Sequence, residues 1–137
     1  MKKTLLFILT LTFLNSFSQG TEDFANSNAP GNTYGNGSFV GNDGITWTYV
    51  KSRNATSSNT QGLANSPGLM LQKSSVDAKV TSSTISGGIG NFSVKVYKSY
   101  TGSGNRSVEL FINGVSKGSS TPFDDYDEHI FSVDDTD

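Results

Sequence analysis

Cysteine is absent from this 137-residue chain, so disulfides, thiol nucleophiles and cysteine-based metal centres are all excluded. Histidine occurs once, at His129, and a zinc site built from one imidazole plus carboxylates departs from the usual nitrogen and sulfur donor sets. Charge is sparse too. Only 16% of residues are Asp, Glu, Lys or Arg, and cations are too few to displace counterions along a nucleic-acid groove. No apolar stretch reaches the roughly 20 residues that a membrane-spanning helix needs.

What is present begins with a targeting pattern. Lys2 and Lys3 precede an uncharged apolar run from Thr4 to Phe17, and the small residues Ser16 and Ser18 occupy the −3 and −1 positions of a cleavage site before Gln19. Residues 1–18 therefore read as a signal peptide, and the product is expected to be secreted or held at the cell surface, with no membrane span after cleavage. No thiol follows the run, which excludes lipid attachment there. The remaining 119 residues, 19–137, amount to one domain and carry eight basic against twelve acidic side chains, a net −4.

Within that domain apolar residues recur with period two, and turn residues interrupt them every 8 to 12 positions, which is a strand pattern. Asn91 to Tyr100 alternates Phe92, Val94 and Val96 against Ser93, Lys95 and Tyr97. Ser107 to Ile112 alternates Val108, Leu110 and Ile112 against Ser107, Glu109 and Phe111. Joined across Thr101 to Asn105, the two predict a hairpin with Val96 facing Leu110 and Val94 facing Ile112. Asn113-Gly114 predicts a tight hairpin into Val115 to Thr121, where Lys117 would fall opposite Leu110 and lie at an edge unless a bulge resets the register. Further strands are expected at Ser38 to Val40, Ile45 to Val50, Leu69 to Leu71, Val80 to Ile85 and His129 to Val133. Ser52 to Ser66 reads as a polar surface loop.

Short antiparallel strands of this kind predict an all-β sandwich of jelly-roll type. The chain stops at Asp134-Asp135-Thr136-Asp137, directly after a strand. The closing strands of a complete sandwich are expected beyond that point, and the sequence reads as a fragment.

Three places carry candidate chemistry. Lys95, Tyr97, Glu109 and Phe111 fall together on the polar face of the expected hairpin and would form a small platform, since sugar faces stack on aromatic rings while charged neighbours bind hydroxyls. Trp47 shares a face with Ile45 and Tyr49 and reads as core. Seven of the twelve acids lie between Asp124 and Asp137, and Asp124, Asp125 and Asp127 are hard oxygen donors for a structural calcium, set against the plainer reading of a solvated acidic loop. His129 beside Asp127 and Glu128 lacks a nucleophile-elbow pattern and reads as an edge histidine rather than part of a triad. Gly102 to Ser107 lacks the helix that a phosphate loop requires and reads as a turn. No catalytic residue is expected.

Thr81 to Lys95, Val108 to Val115, Glu22-Asp23-Phe24 and Gly44-Ile45-Thr46-Trp47 together resemble an N-terminal jelly-roll, carbohydrate-binding-like module of secreted Bacteroidota proteins. Such modules stand beside extracellular nucleases, lamin-tail-like domains or C-terminal sorting domains. The resemblance implies an accessory module whose partner is a polysaccharide or a neighbouring domain of the same parent, with calcium bracing the sandwich. Members continue into strands ending near an Asp-Asp-Ile-Thr-Trp-like motif that this chain lacks. Two rivals stay open, the leading piece of a secreted nuclease-type hydrolase and a structural spacer.

Overall fold

The computed structural model describes residues 20–55, 67–73, 75, 77–100 and 102–134. The expected signal peptide, residues 56–66 of the expected loop and the last three residues lie outside them. The described residues form eight strands and no helix: β1 Gly35–Val40, β2 Thr46–Asn54, β3 Leu69–Leu71, β4 Lys79–Ser82, β5 Asn91–Val96, β6 Glu109–Ile112, β7 Val115–Ser119 and β8 His129–Asp134. Every strand pairing is antiparallel, and the result is an all-β, sandwich-like fold.

The first four strands make one sheet. β1 turns through Gly41 to Gly44 into β2, so that Phe39 lies opposite Trp47 and Gly37 opposite Tyr49. β3 and β4 share the other edge of β2, with Leu71 opposite Ser52 and Val80 opposite Tyr49. The segment before β1 packs on this sheet through Phe24 and Ala29. Phe24 meets Phe39 and Trp47 edge-on at 6.3 and 6.2 Å, and Phe39 lies 6.5 Å from Tyr49. Edge-on rings set positive edges against negative faces, which adds to the burial of large apolar area. The Tyr49 hydroxyl donates to Asn28 Oδ1 at 3.1 Å, so its polar end is satisfied inside the core.

β2 runs further than its sequence indicates. Lys51 adopts φ 50°, its N–H donates to Asn36 Oδ1 at 2.9 Å, and the register against β1 shifts there by a bulge. The strand then continues through Ser52 and Arg53, both buried, where a surface loop was expected. Ser52 and the outer part of the Arg53 guanidinium find partners here, while Arg53 Nε and Asn54 Oδ1 are buried with none among the described residues. Ser52 Oγ donates to the Val50 carbonyl at 3.0 Å, while the Arg53 guanidinium lies against the rings of Tyr34 (5.8 Å) and Tyr100 (5.9 Å) and donates to the Gly31 carbonyl.

In the second half the expected hairpin between 92–100 and 106–112 does not form. β5 pairs instead with β8, placing Phe92 opposite Val133, Val94 opposite Phe131 and Val96 opposite His129. The pairing gains a Phe92–Phe131 edge contact at 6.4 Å, and cross-strand aromatic pairs are favourable. The chain also leaves the sheet after Val96. Tyr100 takes φ 64°, and Arg106 pairs with Phe123 rather than with Tyr100. β6 takes β7 as its partner across Asn113-Gly114, whose φ values of 51° and 79° suit a tight primed turn and cost little loop-closure entropy. A bulge resets this ribbon between Leu110 and Phe111, so Gly118 rather than Lys117 faces Leu110. The edge position expected for Lys117 gives way to that bulge.

The buried aromatic cluster implies a clear contrast. Phe39→Ala should destabilise by about 3–5 kcal/mol in urea unfolding, as large-to-small changes of buried Phe do. Phe111→Ala, at a side chain 56% exposed, should stay within about 0.5 kcal/mol.

Candidate functional site

The four residues of the expected platform are not brought together. Lys95 and Tyr97 belong to β5 and its end, Glu109 and Phe111 to β6, and these strands pair with different partners. Lys95 and Tyr97 converge on Glu128 instead: Lys95 Nζ lies 3.1 Å from Oε1, and the Tyr97 hydroxyl donates to Oε2. Glu109 Oε1 accepts from Ser116 Oγ at 2.5 Å, and Phe111 is exposed on its own. Burial and the donated proton together push the Tyr97 phenol up to about 12, while Tyr97 and Lys95 hold Glu128 below the usual carboxylate range.

The acids after Phe123 are shared out among protein partners. Asp124 Oδ1 meets Lys98 Nζ at 2.8 Å and Arg106 Nη1 at 3.3 Å, and its Oδ2 accepts from the Gly104 N–H at 3.1 Å. Lys98 is only 4% exposed, also donates to the Asp124 carbonyl at 2.7 Å, and sits 4.8 Å from the Tyr126 ring centre. Asp125 Oδ1 lies 2.6 Å from His129 Nε2 and accepts the Asp127 N–H at 3.0 Å. Among the described residues no group of three or more His, Asp or Glu side chains is placed to hold a metal ion. Asp124, Asp125 and Asp127 therefore do not converge as calcium ligands; Asp124 is turned to Lys98 and Arg106, and Asp125 to the His129 ring. His129 stacks on Phe123 at 4.4 Å, and no serine hydroxyl among the described residues hydrogen-bonds to it.

The structure forms a different concavity, of ≈ 470 Å³, between the N-terminal segment, the β1–β2 turn and the chain after β4. Its lining combines Trp47, Ile45 and Ile85 with the hydroxyl residues Thr21, Thr84 and Ser86 and the carboxylates of Glu22 and Asp43. Glu22 builds the wall. Its Oε1 accepts the Phe24 N–H and its Oε2 the Asn42 N–H at 3.1 Å, which ties the segment to the turn. Asn42 Nδ2 returns a bond to the Thr21 carbonyl at 3.2 Å. Gly41 permits this approach, since a Cβ there would overlap both the Glu22 carboxylate and the Trp47 indole. Trp47 is half-buried: one side meets Phe24, and its indole N–H has no partner among the described residues. Asp43 likewise has none. Reading Trp47 as core was correct for one side of the ring. The other side depends on residues 20–24 folding back, and only the pairing of a lone tryptophan with a turn acid four residues earlier hints at it.

Comparison with family models, curated proteins and solved structures gave no match. No helix among the described residues is long and apolar enough to cross a membrane.

The carboxylates set the acid limb of stability. Asp124 is held low chiefly by Lys98, Asp125 by His129, Glu128 by Tyr97 and Asp23 by the Ala25 N–H. Folded values below unfolded ones contribute stability that is complete above the unfolded carboxylate range and lost as pH falls through the folded values. Tm should therefore decline progressively below about pH 4, and Asp124→Asn should lower Tm at neutral pH while flattening that decline. For Tyr97 the sign reverses. Its contribution is present below the unfolded phenol value and is lost as pH rises toward about 12. A difference titration of tyrosinate absorbance, wild type against Tyr97→Phe, should show one phenol ionising near that pH.

Proposed function

We propose that this protein is a non-catalytic accessory module acting outside the cell, where it holds a carbohydrate in the Trp47 cleft. One observation carries the reading: the Trp47 indole N–H and the Asp43 carboxylate, neither with a partner among the described residues, line the same concavity beside apolar side chains and hydroxyls. That combination offers a ring for a sugar's C–H face, with a donor and an acceptor for its hydroxyls. The nested order of the second half, in which the β5–β8 pair encloses the β6–β7 ribbon, supports the jelly-roll reading, because jelly rolls wrap one antiparallel hairpin inside another. The signal pattern at residues 1–18 supports export.

A second reading, packing on an attached domain of the same parent, is favoured by Phe111 and Ile130. These are 56% and 64% exposed, on β6 and β8.

Retention on insoluble polysaccharides tests the first reading. The mature protein should be retained, Trp47→Ala should weaken retention about tenfold or more, and Tyr97→Ala should behave as wild type. A cooperative melt of each variant confirms that it folds. Failure of the wild type to bind any polysaccharide, or loss of binding in Tyr97→Ala alone, overturns the assignment to this cleft.

A further inference from the structure

Resting on that carbohydrate reading, we propose that the Trp47 cleft selects sugars carrying a protonated amino group, of the glucosamine type, over neutral and uronic-acid sugars. The charge of the lining argues for it. Glu22 and Asp43 are both in the wall, Asp43 against Gly20, and among the described residues no Lys, Arg or His side chain joins them. The two acids have different duties. Both oxygens of Glu22 accept backbone N–H groups, so that side chain is committed to shaping the wall, though its charge still acts on an occupant. Asp43 is exposed in the turn and makes no hydrogen bond or ion pair among the described residues, so its oxygens are available to a ligand ammonium. A sugar hydroxyl donating to a carboxylate already makes a charge-assisted bond, and an ammonium adds a full positive charge opposite the carboxylate, which a neutral sugar does not bring. A uronate would bring a third negative charge into the same space, and like-charge juxtaposition is costly. Trp47, Ile45 and Ile85 supply the apolar wall against which the sugar ring would lie. The volume of ≈ 470 Å³ falls within the range of small-molecule pockets.

Trp47 is the only tryptophan in the chain, so its fluorescence reports directly on occupation of the cleft. The experiment titrates the mature protein, at mildly acidic pH, with four oligosaccharides of equal length: glucosamine, N-acetylglucosamine, glucose and galacturonate. Glucosamine should bind about tenfold more tightly than the N-acetylated oligomer, and galacturonate most weakly. Asp43→Asn should erase the preference for the amine, and Ser86→Arg, which adds a cation at the rim, should weaken glucosamine binding further. Glu109→Gln, on β6, should leave every affinity unchanged. If all neutral oligomers bind as tightly as glucosamine and Asp43→Asn alters nothing, the amine selectivity is overturned while the carbohydrate reading stands. If Glu109→Gln weakens glucosamine binding as much as Asp43→Asn does, the attraction is a general charge effect and the selectivity is equally overturned. If none of the four sugars perturbs Trp47, both readings fall.

Discussion

The carboxylate of Asp124 organises more of this molecule than its place in an exposed turn suggests. Lys98 is almost fully buried, and an ammonium removed from water requires a counter-charge and acceptors for its protons. Asp124 supplies both, through its side chain and its own carbonyl, and then binds Arg106 and the Gly104 N–H as well. Lys98, Gly104 and Arg106 are thereby pinned beside Phe123, with Arg106 and Phe123 exchanging backbone hydrogen bonds of 2.8 and 3.0 Å. Tyr100 follows Lys98 by two residues, and its ring is one of the two that bracket Arg53. Lys73 Nζ reaches the Ser103 carbonyl, 2.9 Å away. One acid thus holds residues beside those that reach the first half through Tyr100 and Ser103.

Such polar joints replace bulk. Among the described residues only Ala29, Phe39, Tyr49, Ala55, Met70 and Phe123 are buried apolar side chains. Without disulfides, a domain with so little fully buried apolar volume must draw cohesion from other sources. Here these are edge-on aromatic contacts in the first sheet and buried cations set against rings at the joints. The Tyr34 hydroxyl completes the pattern by donating to Met70 Sδ at 3.3 Å, linking the Arg53 bracket to β3. Arrangements of this kind are directional, so they favour one geometry over nearby alternatives more strongly than an equal area of aliphatic packing would.

The same distinction explains how much was legible in the residues. Period-two alternation places β1 to β8 close to their observed positions, because alternation reflects which side of a strand is covered and needs no knowledge of the cover. Asn113-Gly114 is legible because a primed turn is a local requirement on φ. The pairing of β5 was not. Val94 and Val96 fit Leu110 and Ile112 as well by pattern as they fit Phe131 and His129, and the choice is made by the detour of Lys98 and Tyr100, which no periodicity encodes. The buried continuation of β2 was hidden for a related reason, since Ser52-Arg53 reads as polar until the Lys51 bulge and the two tyrosines are in place. For the candidate site, Trp47 was visible as an apolar-face residue, whereas its free side, and the part of Asp43, arise from the return of residues 20–24.

That return is held by Glu22 rather than by apolar burial, and this has a consequence for the cleft. A wall built on apolar contact alone would close over the tryptophan, since each additional area removed from water is favourable. A wall built on two backbone N–H groups, Phe24 and Asn42, is fixed at hydrogen-bond length and cannot slide inward without breaking them. Gly41 sets the minimum approach, and the Phe24 ring occupies only one side of the indole. The concavity is therefore kept open by the same carboxylate that gives it part of its charge. In physical terms, the geometry that prevents Trp47 from becoming fully buried core also sets Asp43 beside it, without a partner among the described residues.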